Sequence, residues 1–148
     1  MSIVKKLFIF IIMFFTSTLC FVGFSNSNSV VIDAGHGGSD SGTVSGEYFE
    51  KEWNLDTARA CANELVKYGV YVYETRSDDT YISLEDRASL ANYNNVDYFI
   101  SIHHNSGGGD RGEVIYSIND PNSESLAAYI QRELENIGQT SVTTYTKR

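Results

Sequence analysis

From Val30 onward, short apolar runs alternate with longer stretches in which apolar residues recur every three or four positions. Val30 to Asp33 reads as a short buried strand. Trp53 to Tyr68 reads as a helix, with Leu55, Ala58, Ala62 and Leu65 on one face and Gly69 as its stop. The β-branched and aromatic run from Val70 to Thr75 predicts a strand. Leu84 to Tyr93 predicts a second helix, capped by Ser83, with Glu85 and Asp86 at the positive end of its dipole. Asp97 to Ile102 and Glu113 to Ile118 read as further strands. A third helix starts at Asp120 and Pro121, with Leu126, Ile130, Leu134 and Ile137 on its buried face and Gly138 as its end. The tail from Thr140 to Arg148 is polar and β-prone, and the pattern leaves its fate open. This order predicts an α/β fold with a mostly parallel central sheet and helices on both faces.

The chain ahead of Val30 has a different character. Lys5 and Lys6 precede an apolar stretch from Leu7 to Phe24, and a polar "SNSNS" follows. This reads as an export signal over residues 1–25, a linker over 26–29 and one domain over 30–148. Gly23 and Ser25 offer small residues before a cut near Asn26. The length of the apolar stretch keeps an uncleaved membrane anchor through residues 7–24 as the competing reading. Leu19 ahead of Cys20 argues against lipidation. Both readings place the domain outside the cytoplasmic membrane, either secreted or at the cell wall.

Composition adds exclusions. The formal net charge is −8, and no Lys/Arg-rich run occurs, so the chain lacks the basic footprint of nucleic-acid binding. There are two cysteines; Cys61, within the first long helix, reads as a small buried hydrophobe and implies no disulfide framework. Oligomeric state leaves no readable mark in the sequence.

The candidate chemistry lies where two of the strands end. "VVIDAGHGGSDSG" breaks from an apolar run into glycines around His36, and "ISIHHNSGGGDRG" does the same around His103 and His104. All three histidines of the chain fall in these two loops. If the strands run parallel, the imidazoles emerge on one edge of the sheet, where open α/β sheets place their sites. One loop histidine alone would ordinarily be a polar surface residue. Two such loops together suggest a transition metal, for which zinc is the usual occupant and two histidines plus a glutamate an established ligand set. "EYFEKEWNL" offers Glu47, Glu50 or Glu52 as the carboxylate, although acids before a helix ordinarily serve its dipole. The glycines match neither a dinucleotide fingerprint nor a nucleophile elbow.

Together with "FEKEWNL", "ETRSDDTYISLEDRASLANYNNVDYFISIHHN" and "GEVIYS…SESLAAYI", the first loop resembles the zinc-dependent N-acetylmuramoyl-L-alanine amidases from Val30 to about Ile137. The resemblance implies His36, Glu50 and His103 as metal ligands, with His104 at a variable position. It implies structural or supporting roles for Arg76, Arg87 and Asn92. It also implies hydrolysis of the amide between the lactyl group of N-acetylmuramic acid and L-alanine in peptidoglycan. The catalytic glutamate of these enzymes lies in a late strand, which on this resemblance falls beyond Arg148. The catalytic acid/base is therefore unassigned, and the final strand or strands are expected to be missing. Two other readings remain: an inactive wall- or metal-binding remnant, and a spore-cortex amidase of the same family.

Overall fold

The computed structural model describes residues 28–105 and 111–146. The segment read as an export signal or anchor lies outside the described residues. Among the described residues, no helix is long and apolar enough to cross a membrane. The chain divides after Ser106 into two compact units.

In the first unit, β1 (Ser29–Ala34) lies between β4 (Tyr71–Glu74) and β5 (Tyr98–Ile102), and both pairings are parallel. A small antiparallel hairpin joins β2 (Val44–Ser45) to β3 (Tyr48–Phe49). Its two-residue turn places Gly46 at φ 63°, the position at which a type II′ turn takes glycine. The long helix α1 (Glu50–Lys67) and the shorter α2 (Leu84–Asn94) complete the unit. Helix α1 begins three residues before the apolar periodicity suggests. Phe49 is still extended, and the Glu50 N–H continues the hairpin by donating to Thr43 O at 2.9 Å. Ser83 caps α2 as expected, accepting from the Asp86 N–H, and Asn95 ends it in the left-handed conformation.

The strand β1 is buried on both faces, but to different ends. Val30, Ile32 and Ala34 point toward α1 and join Ala58, with Leu55, Leu65, Val72, Ile100 and Ile102 packed around them. Cys61 packs against this cluster too, but is half-buried, not fully buried as its reading as a small buried hydrophobe implied. Ile32 is 0% exposed, and burying such a side chain stabilises by roughly 1.5–3 kcal/mol. Val31 and Asp33 lie on the opposite face, where α2 contacts β1. The predicted architecture, a parallel sheet with helices on both faces, is what forms.

In the second unit, β6 (Glu113–Tyr116) pairs in parallel with β7 (Thr143–Thr146), and α3 (Pro121–Asn136) packs on both. Asp120 caps α3 by accepting from the Asn122 N–H. The polar tail thus supplies a strand. Three expectations change. The strand from Glu113 stops at Tyr116, and Ile118 is exposed. Ile137 is 80% exposed, because it follows the last helical turn and no longer keeps the helix's periodicity. The strand expected over 70–75 covers only Tyr71–Glu74, since Val70 bonds back to Leu65 in the helix-terminal turn.

Candidate metal centre

The parallel arrangement of β1 and β5 brings the two histidine loops to one edge. Gly35 N donates to Ile102 O at 3.1 Å, so the strands remain paired until the loops diverge. Just beyond, the rings of His36 and His103 meet edge-on, with centroids 4.8 Å apart. Gly35 is needed for this approach, because a Cβ there would come within 2.3 Å of the His103 ring. The first residue of α1, Glu50, completes the cluster. Its Oε1 lies 3.1 Å from His103 Nδ1 and 3.4 Å from His36 Nε2. One ligand atom from each of the three residues lies within 4.8 Å of the others.

This donor set fits a metal ion. Donors about 2.0–2.2 Å from a tetrahedral zinc stand about 3.3–3.5 Å apart, close to the two spacings involving Glu50. Both histidine nitrogens also turn toward a carboxylate oxygen, the arrangement a shared cation would favour. Glu47 and Glu52, the other two candidate carboxylates, are exposed and form no part of the cluster.

The surrounding residues hold each donor in place. Glu50 is buried, which works against its charge, but its carboxylate accepts from the Thr43 N–H at 2.9 Å and the His104 N–H at 3.1 Å. Against that burial, the hydrogen bonds from Thr43 and His103 and the nearby His36 lower its pKa to about 2. His36 Nδ1 lies 2.8 Å from Asp40 Oδ2, and its Nε2 turns toward Glu50, so the carboxylate of Asp40 orients the ring. The His36 hydrogen bond and the Gly42 N–H hold Asp40 below the usual carboxylate range. Asn54 is fully buried and donates to Gly35 O at 3.0 Å. Its oxygen therefore faces His104 Nδ1, at 2.8 Å.

Two buried arginines anchor the backbone of the first loop. Arg76 donates to Ala34 O, Gly35 O and Lys51 O, which ties the end of β1 to the start of α1. Arg87 donates to Ala34 O and, at 2.8 Å, to His36 O. His36 needs this support because its φ is 60°, a conformation costing a non-glycine residue about 1–2 kcal/mol. Arg87 also forms a buried ion pair with Asp33, which accepts in addition from Thr75 Oγ1 and Ser101 Oγ. The supporting roles expected of Arg76 and Arg87 are seen. Asn92 is exposed and lines, with Ala88 and Ala91 of α2 and Phe99 and Ser101 of β5, a cavity of about 330 Å³.

Sequence reasoning overlooked Asp40 as the partner of His36 and Lys51 as a latch. Lys51 Nζ donates to Gly38 O and to Asp79, whose other oxygen accepts from the Gly38 N–H. For Asp40 a signal existed: an acid four residues after a loop histidine. For Lys51 and Asp79, 28 residues apart, none did.

Fold and cluster together define an α/β domain with a two-histidine, one-glutamate candidate metal site at the carboxyl edge of its parallel sheet. More particularly, residues 30–148 match the N-acetylmuramoyl-L-alanine amidase family, and the chain belongs to it. It is 41% identical over 116 residues to the uncharacterized protein YqiI of Bacillus subtilis (strain 168), covering 76% of this chain and 56% of that one. With the N-acetylmuramoyl-L-alanine amidase LytC of the same organism it shares 37% identity over 111 residues, 72% of this chain and 22% of the relative. The chain thus spans about half the length of the first relative and less of the second. A crystal structure of N-acetylmuramoyl-L-alanine amidase from Clostridium difficile 630 superposes with a TM-score of 0.72 at 37% identity, covering 82% of this chain and 72% of that one.

Proposed function

We propose that this protein is a zinc-dependent peptidoglycan amidase acting outside the cytoplasmic membrane. It hydrolyses the amide between the lactyl group of N-acetylmuramic acid and L-alanine of the stem peptide. The observation that carries the reading is the cluster of His36, Glu50 and His103 at the sheet edge of an amidase-family domain. These three residues would hold the zinc, which, when bound, supplies a polarised carbonyl and a water acidic enough to ionise near neutral pH. The chain's own groups prepare the site. Asp40 orients the His36 ring, Thr43 and the two ligand histidines favour ionised Glu50, the His104 amide holds its carboxylate, and Asn54 and Arg76 hold the loop carbonyls. Asp40 and Glu50 accept hydrogen bonds from His36 and from the Thr43 and His104 amides, which supports positional roles for both. The location rests on the basic and then apolar N-terminus and on the extracytoplasmic position of the wall itself.

The test joins metal content to chemistry. One zinc per chain is expected by atomic absorption, and His36→Ala should lose it. Release of stem peptides from purified sacculi should stop with a chelator and return with zinc. Unchanged zinc stoichiometry in His36→Ala would overturn the site assignment. Release that persists in chelator would overturn the zinc-dependent reaction.

A further inference from the structure

Helix α1 and the hairpin before it carry a feature that the metal centre does not use. Tyr48 is 60% exposed and Trp53 is 46% exposed. Their rings lie side by side, with centroids 5.7 Å apart and planes inclined by 36°. The His104 ring stands edge-on to Trp53 at 6.2 Å and 76°, held by Asn54 at one nitrogen. The His104 backbone N–H donates to Glu50, so the pair of aromatic rings adjoins the candidate centre through a single residue. Tyr48 follows the Gly46–Glu47 turn, and Trp53 lies one helical turn after Glu50. Both rings are therefore carried on regular structure rather than on a loose loop.

Two large rings left half-uncovered beside a site represent apolar area held available for a partner. We propose that Tyr48 and Trp53 form a glycan-stacking subsite for the C–H face of a muramoyl or adjoining pyranose ring. The inference rests on the peptidoglycan reading above and names which part of that substrate lies on this side of the centre. Charge favours the sugar over the stem peptide. Glu47 and Glu52 flank the two rings in sequence and are exposed, and Lys51 is engaged with Asp79 and Gly38. With Lys51, the one cation of residues 47–53, already engaged, this stretch offers no free cation to a peptide bearing carboxylates, whereas a neutral N-acetylated sugar face needs none.

Trp53 is the single tryptophan of the sequence, so its emission reports this place directly. The full chain is titrated, with chelator present, with the uncharged disaccharide N,N′-diacetylchitobiose, which presents the same N-acetylated pyranose face. A separate titration uses the dipeptide L-alanyl-D-isoglutamine. A saturable change in emission is expected with the disaccharide and none with the dipeptide over the same concentrations. Tyr48→Ala should weaken disaccharide binding about tenfold, with Tyr48→Phe restoring it and the melting temperature reporting an intact fold. A flat disaccharide titration, a response to the dipeptide alone, or Tyr48→Ala binding within twofold of the parent would each overturn the subsite. Neither metal nor hydrolysis enters this titration. A chain that binds the disaccharide but cleaves nothing would sink the enzyme reading alone; chelator-sensitive cleavage with a flat titration would sink the subsite alone.

Discussion

The two faces of β1 use alternate residues of one six-residue strand for opposite purposes. Toward α1, the side chains of Val30, Ile32 and Ala34 pack in an apolar cluster, and these contacts are non-directional. Toward α2, Asp33 collects Arg87, Thr75 and Ser101, and Arg87 reaches on to the carbonyls of Ala34 and His36. This second face is less well filled: Phe99 and Leu84 are exposed on it, and a cavity opens between the helix and β5. Burial on one face makes the strand stable, while directed hydrogen bonds on the other fix where its last carbonyls point. A buried ion pair contributes weakly to net stability compared with well-packed apolar residues. Its use at the site-bearing end of the strand fits a positional role.

The comparison can be broken at several points. The largest effect is expected from Arg87→Ala, which leaves Asp33 buried without its cation and frees the His36 carbonyl. Stability should fall by about 3–5 kcal/mol in urea unfolding, and zinc affinity measured on the folded fraction should fall with it. Stability lost with zinc affinity intact would show that this face does not position the loop. Asp40→Asn should give the converse separation. Replacing the acceptor of His36 Nδ1 is expected to weaken zinc binding by about 10–100-fold in calorimetry, with the unfolding midpoint little changed because Asp40 is exposed. The smallest effect belongs to Ile32→Val on the apolar face, about 0.5–1.5 kcal/mol in stability with zinc affinity unaltered. A change in zinc affinity there would mean that packing under α1 also sets the geometry of the loop.

Much of this was written locally. The run "VVID" followed by glycines marks β1 and the loop after it, and the 3–4 spacing of Leu55, Ala58, Ala62 and Leu65 marks the core face of α1. Where only local periodicity was available, boundaries slipped. Glu50 belongs to the helix because the hairpin ladder hands over directly to it, and Ile137 lies beyond the helix that its spacing seemed to extend. The hairpin of β2 and β3 escaped notice because two-residue strands carry too little alternation to read.

The sequence alone determined the alternation that selects an α/β fold, the placement of every histidine after a strand, and a short list of acids beside them. Bonding between neighbours along the chain sets these features. The residue types left Glu47, Glu50 and Glu52 alike, the family resemblance pointed to Glu50, and the tertiary structure puts that residue beside His36 and His103 because the hairpin and first helical turn carry it there. The tertiary structure alone joined Arg87 to the His36 carbonyl across 51 residues and set Trp53 beside His104. Such pairings depend on parallel strand register and helix packing, which bring together residues that share no local pattern.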